Sequence, residues 1–254
     1  MTQCGDSSMR EQGLIQNSDG SSNLTSSLQL DRKNYQVIPI DYRDTYSWLK
    51  NKHYAKSIPN IMQAFGLYNS LKELQGVCCF GTPANNHNNH LGSFRMIELV
   101  RLVVNEGLEK NICSFFISKC LKQLEKPLAI ISYADEGFGH HGFIYQATNW
   151  IYTGLGGGVD FYRDKNNRMI HSRIMSDLRL KHPSKTRNEI ANELNWKLEQ
   201  GTFKHRYFYF IGNDKQKQEM RKELFMKYKS LSYPKGDNKR YDASFQPEIQ
   251  QILF

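Results

Sequence analysis

Long apolar runs are missing from this sequence. None approaches the roughly 20 residues that cross a bilayer, and the first residues lack the apolar core of a secretory signal. Paired cysteine motifs are missing too. The five cysteines (Cys4, Cys78, Cys79, Cys113 and Cys120) are odd in number and contain no CxxC spacing. That argues against a disulfide framework and a cysteine-type zinc site, and it predicts a reducing, cytoplasmic setting with no membrane partner. Metal-ligand spacing is scarce among the histidines. Only His87 and His90 lie close enough, in a polar loop, while His53, His171, His182 and His205 are scattered. Adjacent His140 and His141 would point apart on a strand, or about 100° apart on a helix. No metal site is therefore expected. No internal repeat occurs.

Acidic residues are the minority charge. Asp and Glu number 25 against 34 Lys and Arg, giving a net charge of +9 and an isoelectric point near 9.2. Aromatic rings are plentiful, with 14 Tyr, 14 Phe and 3 Trp. A basic chain rich in rings suits a polyanion whose bases can stack, that is, nucleic acid. At 254 residues, 39% of them hydrophobic, the chain can bury one substantial core.

Residues 1–33 are rich in Ser, Asn, Gln and Gly and read as a mobile polar tail. Strands are predicted over 35–40, 61–68, 74–80, 94–104, 128–132, 150–153 and 205–211, the second and third forming a hairpin turned at Asn69 and Ser70. Helices are predicted over 41–51, 114–124, 184–200 (with Gly201 as its stop) and 215–229, with a short helix or turn at 140–148. Polar loops are read at 51–59 and 82–92. Gly154–Gly158 reads as a flexible turn, since it lacks the Lys-Ser/Thr of a phosphate loop. The folded body is then 34–212, with a basic helical insertion at 163–201, followed by a basic helix and irregular tail at 213–254. The order of elements predicts an α/β class with one mixed sheet.

The chemistry concentrates in ISYADEGFGHHGFIYQATNWIYTG, residues 131–154. An apolar strand there delivers an acid, two histidines and several glycines into a turn, the place where an α/β sheet usually holds its ligand. Asp135 can accept a proton from an amine, or it can bond its own turn backbone. Arg101 sits inside an apolar strand and needs an anionic partner. Glu98, three residues away on a strand, should face the other side, which leaves Asp135 or a bound anion.

The segments IELVRLVV (97–104), NICSFFIS (111–118), SYADEGFGHHGFIYQATNWIYTG (132–154) and KHRYFYFIG (204–212), with NKHYAKSIP (51–59) and GVCCFGTP (76–83) in support, resemble the phage Mom-type DNA adenine modification family, on the GNAT-type acyltransferase fold. The resemblance implies a mostly antiparallel mixed sheet flanked by helices. It also implies transfer of a carbamoylmethyl, glycinamide-like group to the exocyclic amine of adenine in viral DNA, which would protect that DNA from host restriction.

On that resemblance Asp135 orients or deprotonates the amine, Tyr145 assists proton transfer, and His53 with Tyr54 lines the acceptor side. Arg101 and Ser114 hold the donor; Ser114 also reads as a plain helix cap. Asn149, His140 and Phe65 contact the base, although core is the favoured reading of Phe65 and Phe80, and Tyr152 reads as core with a satisfied hydroxyl. Arg163, Arg168, Arg173, Arg179, Lys181, Lys185 and Arg187 meet the DNA backbone. GNAT enzymes cradle a pyrophosphate at a glycine-rich turn. The matching loop here, 105–114, holds only Gly107 and carries Glu106 and Glu109. The donor is thus either acetyl-CoA or an activated glycine or aminoacyl group. The rival expectations are an N-acyltransferase for a small amine and a non-catalytic DNA-binding protein.

Overall fold

The computed structural model describes residues 30–83, 89–158 and 161–236. Eight strands build its main sheet: β1 (Gln36–Ile40), β2 (Gln63–Tyr68), β3 (Leu74–Gly81), β4 (His90–Leu91), β5 (Phe94–Val104), β6 (Leu128–Asp135), β7 (Ile151–Gly156) and β11 (Lys204–Ile211). They lie in the order β1-β2-β3-β5-β6-β11-β7, with β4 paired to β5. Neighbours are antiparallel except β5 and β6, which run parallel. Helix α1 (Ile112–Gln123) and the one-turn α2 (Phe143–Ala147) cover one face, and α5 (Asp214–Lys227) covers the other. The expected mixed, mostly antiparallel sheet flanked by helices is the fold of this chain.

Alternation explains how β11 sits between two layers. Tyr207 and Ile211 pack into the core beneath α1, while Phe208 and Phe210 pack into the core beneath α5. A strand buried on both faces can carry such a continuous aromatic run. Helix α5 starts at a capping box in which Asn213 and Gln216 satisfy each other's backbone N–H groups. Asn213→Ala should cost about 1 kcal/mol and lower the thermal midpoint by about 2–4 °C, measurable by calorimetry.

Three sequence readings are corrected. The helix expected over 41–51 is a 3₁₀ turn at Tyr42–Thr45 followed by a π-helical turn at Trp48–Lys52, closed by His53 N–H on the Trp48 carbonyl. The wide turn buries Trp48, Leu49 and Lys52 together, and Lys52 Nζ reaches Asn105 Oδ1 at 2.9 Å. The helix expected over 184–200 is only α4 (Arg187–Glu193), begun by a Thr186–Glu189 capping box. Asn195, at φ 51°, ends the helical path, and the chain then enters β10 (Lys197–Glu199). Gly154 and Gly156 are not a flexible turn; they belong to β7.

The region read as a helical insertion therefore also holds a three-stranded sheet. It contains β8 (Phe161–Arg163), β9 (Met169–His171), α3 (Ser172–Lys181), α4 and β10, with β8 between the other two strands. Tyr162, Met175, Ile190 and Ala191 form a small core of its own. The two stems meet at Gly158 and Gly201, where a Cβ on Gly158 would lie 2.1 Å from the Gly201 carbonyl. The tail expected over 1–33 falls outside the described residues up to 29. So do His87 and the last residues from 237 on.

Candidate active site

Parallel strands β5 and β6 share only three residue pairs, Met96–Ala129, Ile97–Ile130 and Glu98–Ile131. Beyond them the strands part. Val100 is the extra residue of a β-bulge, since Cys79 pairs with Arg101 while Phe80 pairs with Leu99. The bulge resets the alternation, which corrects the expectation that Glu98 and Arg101 face apart. Both now face the side that carries Cys79, and Glu98 is among the groups whose charge acts on Arg101.

Across the opening lies Ser132, with its hydroxyl 2.8 Å from both the Leu99 carbonyl and the Tyr145 hydroxyl. A carbonyl only accepts, so Ser132 gives its proton to Leu99 and takes Tyr145's. Burial pushes the Tyr145 phenol well above its ordinary value, so it stays protonated at neutral pH. Tyr145 thus lies on the α1 side of the gap and Arg101 on the other.

Tyr54 is the common neighbour in this cluster. Burial and the charge of Asp135 raise its phenol pKa, and the Arg101 charge opposes them. Its ring stacks on His53 at 4.3 Å, tilts against Phe138 at 4.4 Å and meets the edge of His140 at 5.1 Å. His53 is buried, accepts the Ala55 N–H at Nδ1 (3.0 Å), and is pushed down to about 3 by burial, then by Arg101 and His140. The neutral imidazole forms a wall of the site, and because Nδ1 accepts, its one ring proton sits on Nε2. Burial also lowers His140, against the opposing pull of Asp135.

Asp135 ends β6 and is 6% exposed. Its Oδ1 accepts Gly137 N–H at 3.1 Å and the Thr202 hydroxyl at 2.6 Å, while Oδ2 lies 3.7 Å from Lys204 Nζ. The carboxylate therefore holds its own turn and keeps a second oxygen for other partners. Arg101 does not pair with it. Instead Arg101 donates to the Val100 carbonyl (2.7 Å) and Ser57 Oγ (3.0 Å), and its Nε is buried with no acceptor among the described residues. Burial lowers the Arg101 pKa, and Tyr54, Glu98, Cys79 and Tyr145 counter that. An orphaned guanidinium N–H of this kind suits an anionic group of a bound molecule.

The structure thus brings together Asp135, Tyr145, His53, Tyr54, Arg101 and His140. It separates the others. Ser114 is not the helix cap; that position is Asn111, at φ 70°, and Ser114 in the first turn donates to the Asn111 carbonyl at 2.8 Å. Ser114 and Asn149 line a different hollow, a groove of about 660 Å³ along α1 whose charged side chains are Arg32, Lys119, Lys122, Lys126 and Lys217. Asn149 precedes Ile151, which is level with Phe208 and Ile131, so it stands well down the sheet from Asp135. Phe65 is fully buried against Phe80 and is core, so it contacts no base. Tyr152 is buried with its hydroxyl 2.9 Å from His205 Nδ1.

In the insertion, Arg163 is tied to Glu199 (2.8 Å), Arg168 to Asp164 (2.7 Å) and Lys185 to Glu193 (2.8 Å). Arg179, Lys181 and Arg187 are exposed, while the Arg173 side chain lies outside the described part. Sequence reasoning missed Ser132, Thr202 and Phe138. Ser132 had a signal, as a hydroxyl closing an apolar strand. Thr202 is 67 residues from Asp135 and had none. Among the described residues no three His, Cys, Asp or Glu side chains are placed to hold a metal ion, and no helix is long and apolar enough to cross a membrane.

Compared with known proteins, residues 34–235 match the Mom protein family. No curated protein matches the chain. Among solved structures, the spermidine/spermine N-acetyltransferase SpeG from Vibrio cholerae, crystallised with manganese ions, is 10% identical with a TM-score of 0.42, covering 75% of this chain and 97% of that one. The Vibrio cholerae spermidine N-acetyltransferase in complex with CoA and spermine is 8% identical with a TM-score of 0.40, covering 70% of this chain and 96% of that one.

Proposed function

The chain belongs to the Mom protein family, and from that premise we propose that it is a transferase that places a carbamoylmethyl group on the exocyclic amine of adenine in viral DNA. The observation that carries the proposal is the gap between β5 and β6. An acid, two phenols and a buried guanidinium gather around the place where the pairing of these strands ends. A paired base cannot offer its amine to such a gap, so the adenine is extruded or taken from a single strand.

In this reading the base enters on the side of His53 and Tyr54. Asp135 Oδ2 takes the hydrogen of the amine, while Oδ1 stays anchored to Gly137 and Thr202. Tyr145, whose one hydroxyl proton rests on Ser132, swings it to the departing group as that group's bond to the donor breaks. Arg101 meets negative charge on the donor. The groove along α1, with five cations, takes the phosphates of that donor, an activated glycine or aminoacyl group, since acetyl-CoA carries no amide nitrogen and would leave an acetyl group instead. Arg179, Lys181 and Arg187 follow the DNA backbone. Replacing these three by Gln should flatten the dependence of log affinity on log salt by roughly 0.9 for each phosphate no longer neutralised, as fluorescence anisotropy across a salt series would show.

The direct test is to express the chain in a bacterial host and analyse its DNA nucleosides by mass spectrometry. The expected result is a new adenine nucleoside heavier by one carbamoylmethyl group in place of hydrogen. Unaltered nucleosides from a folded, expressed chain would reject the reading. In an infected cytoplasm the same product would shield viral DNA from restriction.

A further inference from the structure

Resting on that DNA reading, we infer that Phe138 is the ring on which the target adenine stacks. The 3₁₀ turn Glu136–Phe138, which follows Asp135 directly at the end of β6, carries it. That turn is pinned on every side. Asp135 Oδ1 accepts Gly137 N–H, Glu136 N–H meets the Phe203 carbonyl at 3.0 Å, and Gly139 N–H meets the Glu136 carbonyl at 2.8 Å. Gly137 lies so close to Thr202 that a Cβ would fall 2.0 Å from its methyl group. Phe138 is therefore presented rigidly, yet it is 48% exposed. One side of its ring rests on Tyr54 at 4.4 Å, with His140 at 6.3 Å, and these neighbours hold its orientation.

A fixed ring that is half in water, bordered by Tyr54 and His140 and three residues along the chain from the Asp135 carboxylate, offers a π-face to a flat ligand. The aromatic rings Phe65 and Phe80 cannot serve, because both are fully buried. Stacking uses the face of a purine and leaves its edge, with the exocyclic amine, turned toward Asp135. Each half of recognition then has its own group: Phe138 takes the ring and Asp135 takes the amine.

The test uses the purified full chain and two single-stranded oligothymidylates, one with a central 2-aminopurine and one with an abasic site in its place. The wild-type chain should bind the purine strand more tightly, and its fluorescence should be quenched on binding. Phe138→Leu keeps apolar volume but has no π-face. It should lose the purine advantage, roughly 5- to 160-fold for one stacked base, while binding the abasic strand as before with an unchanged thermal midpoint. Phe138→Trp should restore both preference and quenching. A Phe138→Leu variant that keeps the preference and the quenching overturns this inference alone. A wild-type chain that binds neither strand rejects the DNA reading and this inference with it.

Discussion

Asp135→Asn should lower adenine modification by two orders of magnitude or more, the range for removing a positioned acid or base, while DNA binding persists. Asparagine keeps an acceptor oxygen for Gly137 N–H and the Thr202 hydroxyl, so the turn that carries Phe138 and His140 survives. What it loses is the charge and the second acceptor, the oxygen that lies 3.7 Å from Lys204. Asp135→Ala would abolish modification as well, but it would also release the turn, which makes Asn the cleaner probe. Modified adenine counted by nucleoside mass spectrometry, beside anisotropy binding to DNA, separates the chemistry from the docking. Modification at the wild-type level in the Asn variant would remove the carboxylate from the mechanism.

Local pattern made much of this architecture legible. Apolar and aromatic runs bounded by polar turns marked β2, β3, β5, β6 and β11 to within a few residues, and the helical spacing of Phe115, Cys120 and Leu121 marked α1. Two kinds of feature stayed hidden. Where local propensity competes with tertiary packing, the packing wins. Trp48–Lys52 widens into a π turn around a buried lysine, and Asn195 breaks a helix that Leu194 and Leu198 seemed to extend. Long-range registers are also unreadable from one chain. The bulge at Val100 turns Glu98 and Arg101 to the same side, and Thr202 reaches Asp135 only because β11 pairs with β6.

The same limit applied to the candidate site. Asp135, Tyr145, Tyr54 and His140 converge because the strand end and the loop after the first turn fall at one opening. Ser114 and Asn149 sit near them in sequence motifs but lie along a separate groove. Phe65 shows why ring count misleads: it is invisible to solvent, and the exposed ring is Phe138, enclosed between glycines in a segment whose histidines and acid drew the eye.

Acidification should weaken the fold through His53, independently of any activity. The imidazole is 5% exposed and accepts Ala55 N–H, and burial with the Arg101 and His140 charges brings its pKa to about 3. In the unfolded chain it returns to about 6.5. Above that pH both states are neutral and the stability is fully present. Below it the unfolded chain takes a proton that the native one refuses, so stability falls by about 1.4 kcal/mol per pH unit until about pH 3. By pH 5 the loss from His53 alone is about 2 kcal/mol on the same slope. His140 and His205, also lowered by burial, add in the same direction. Urea denaturation at several values between pH 7.5 and pH 5 should show the decline, and His53→Gln should reduce its slope by about one proton. Parallel profiles for the two chains would mean that His53 titrates normally in the native state, and the wall it forms beside Tyr54 would then have to be open to water.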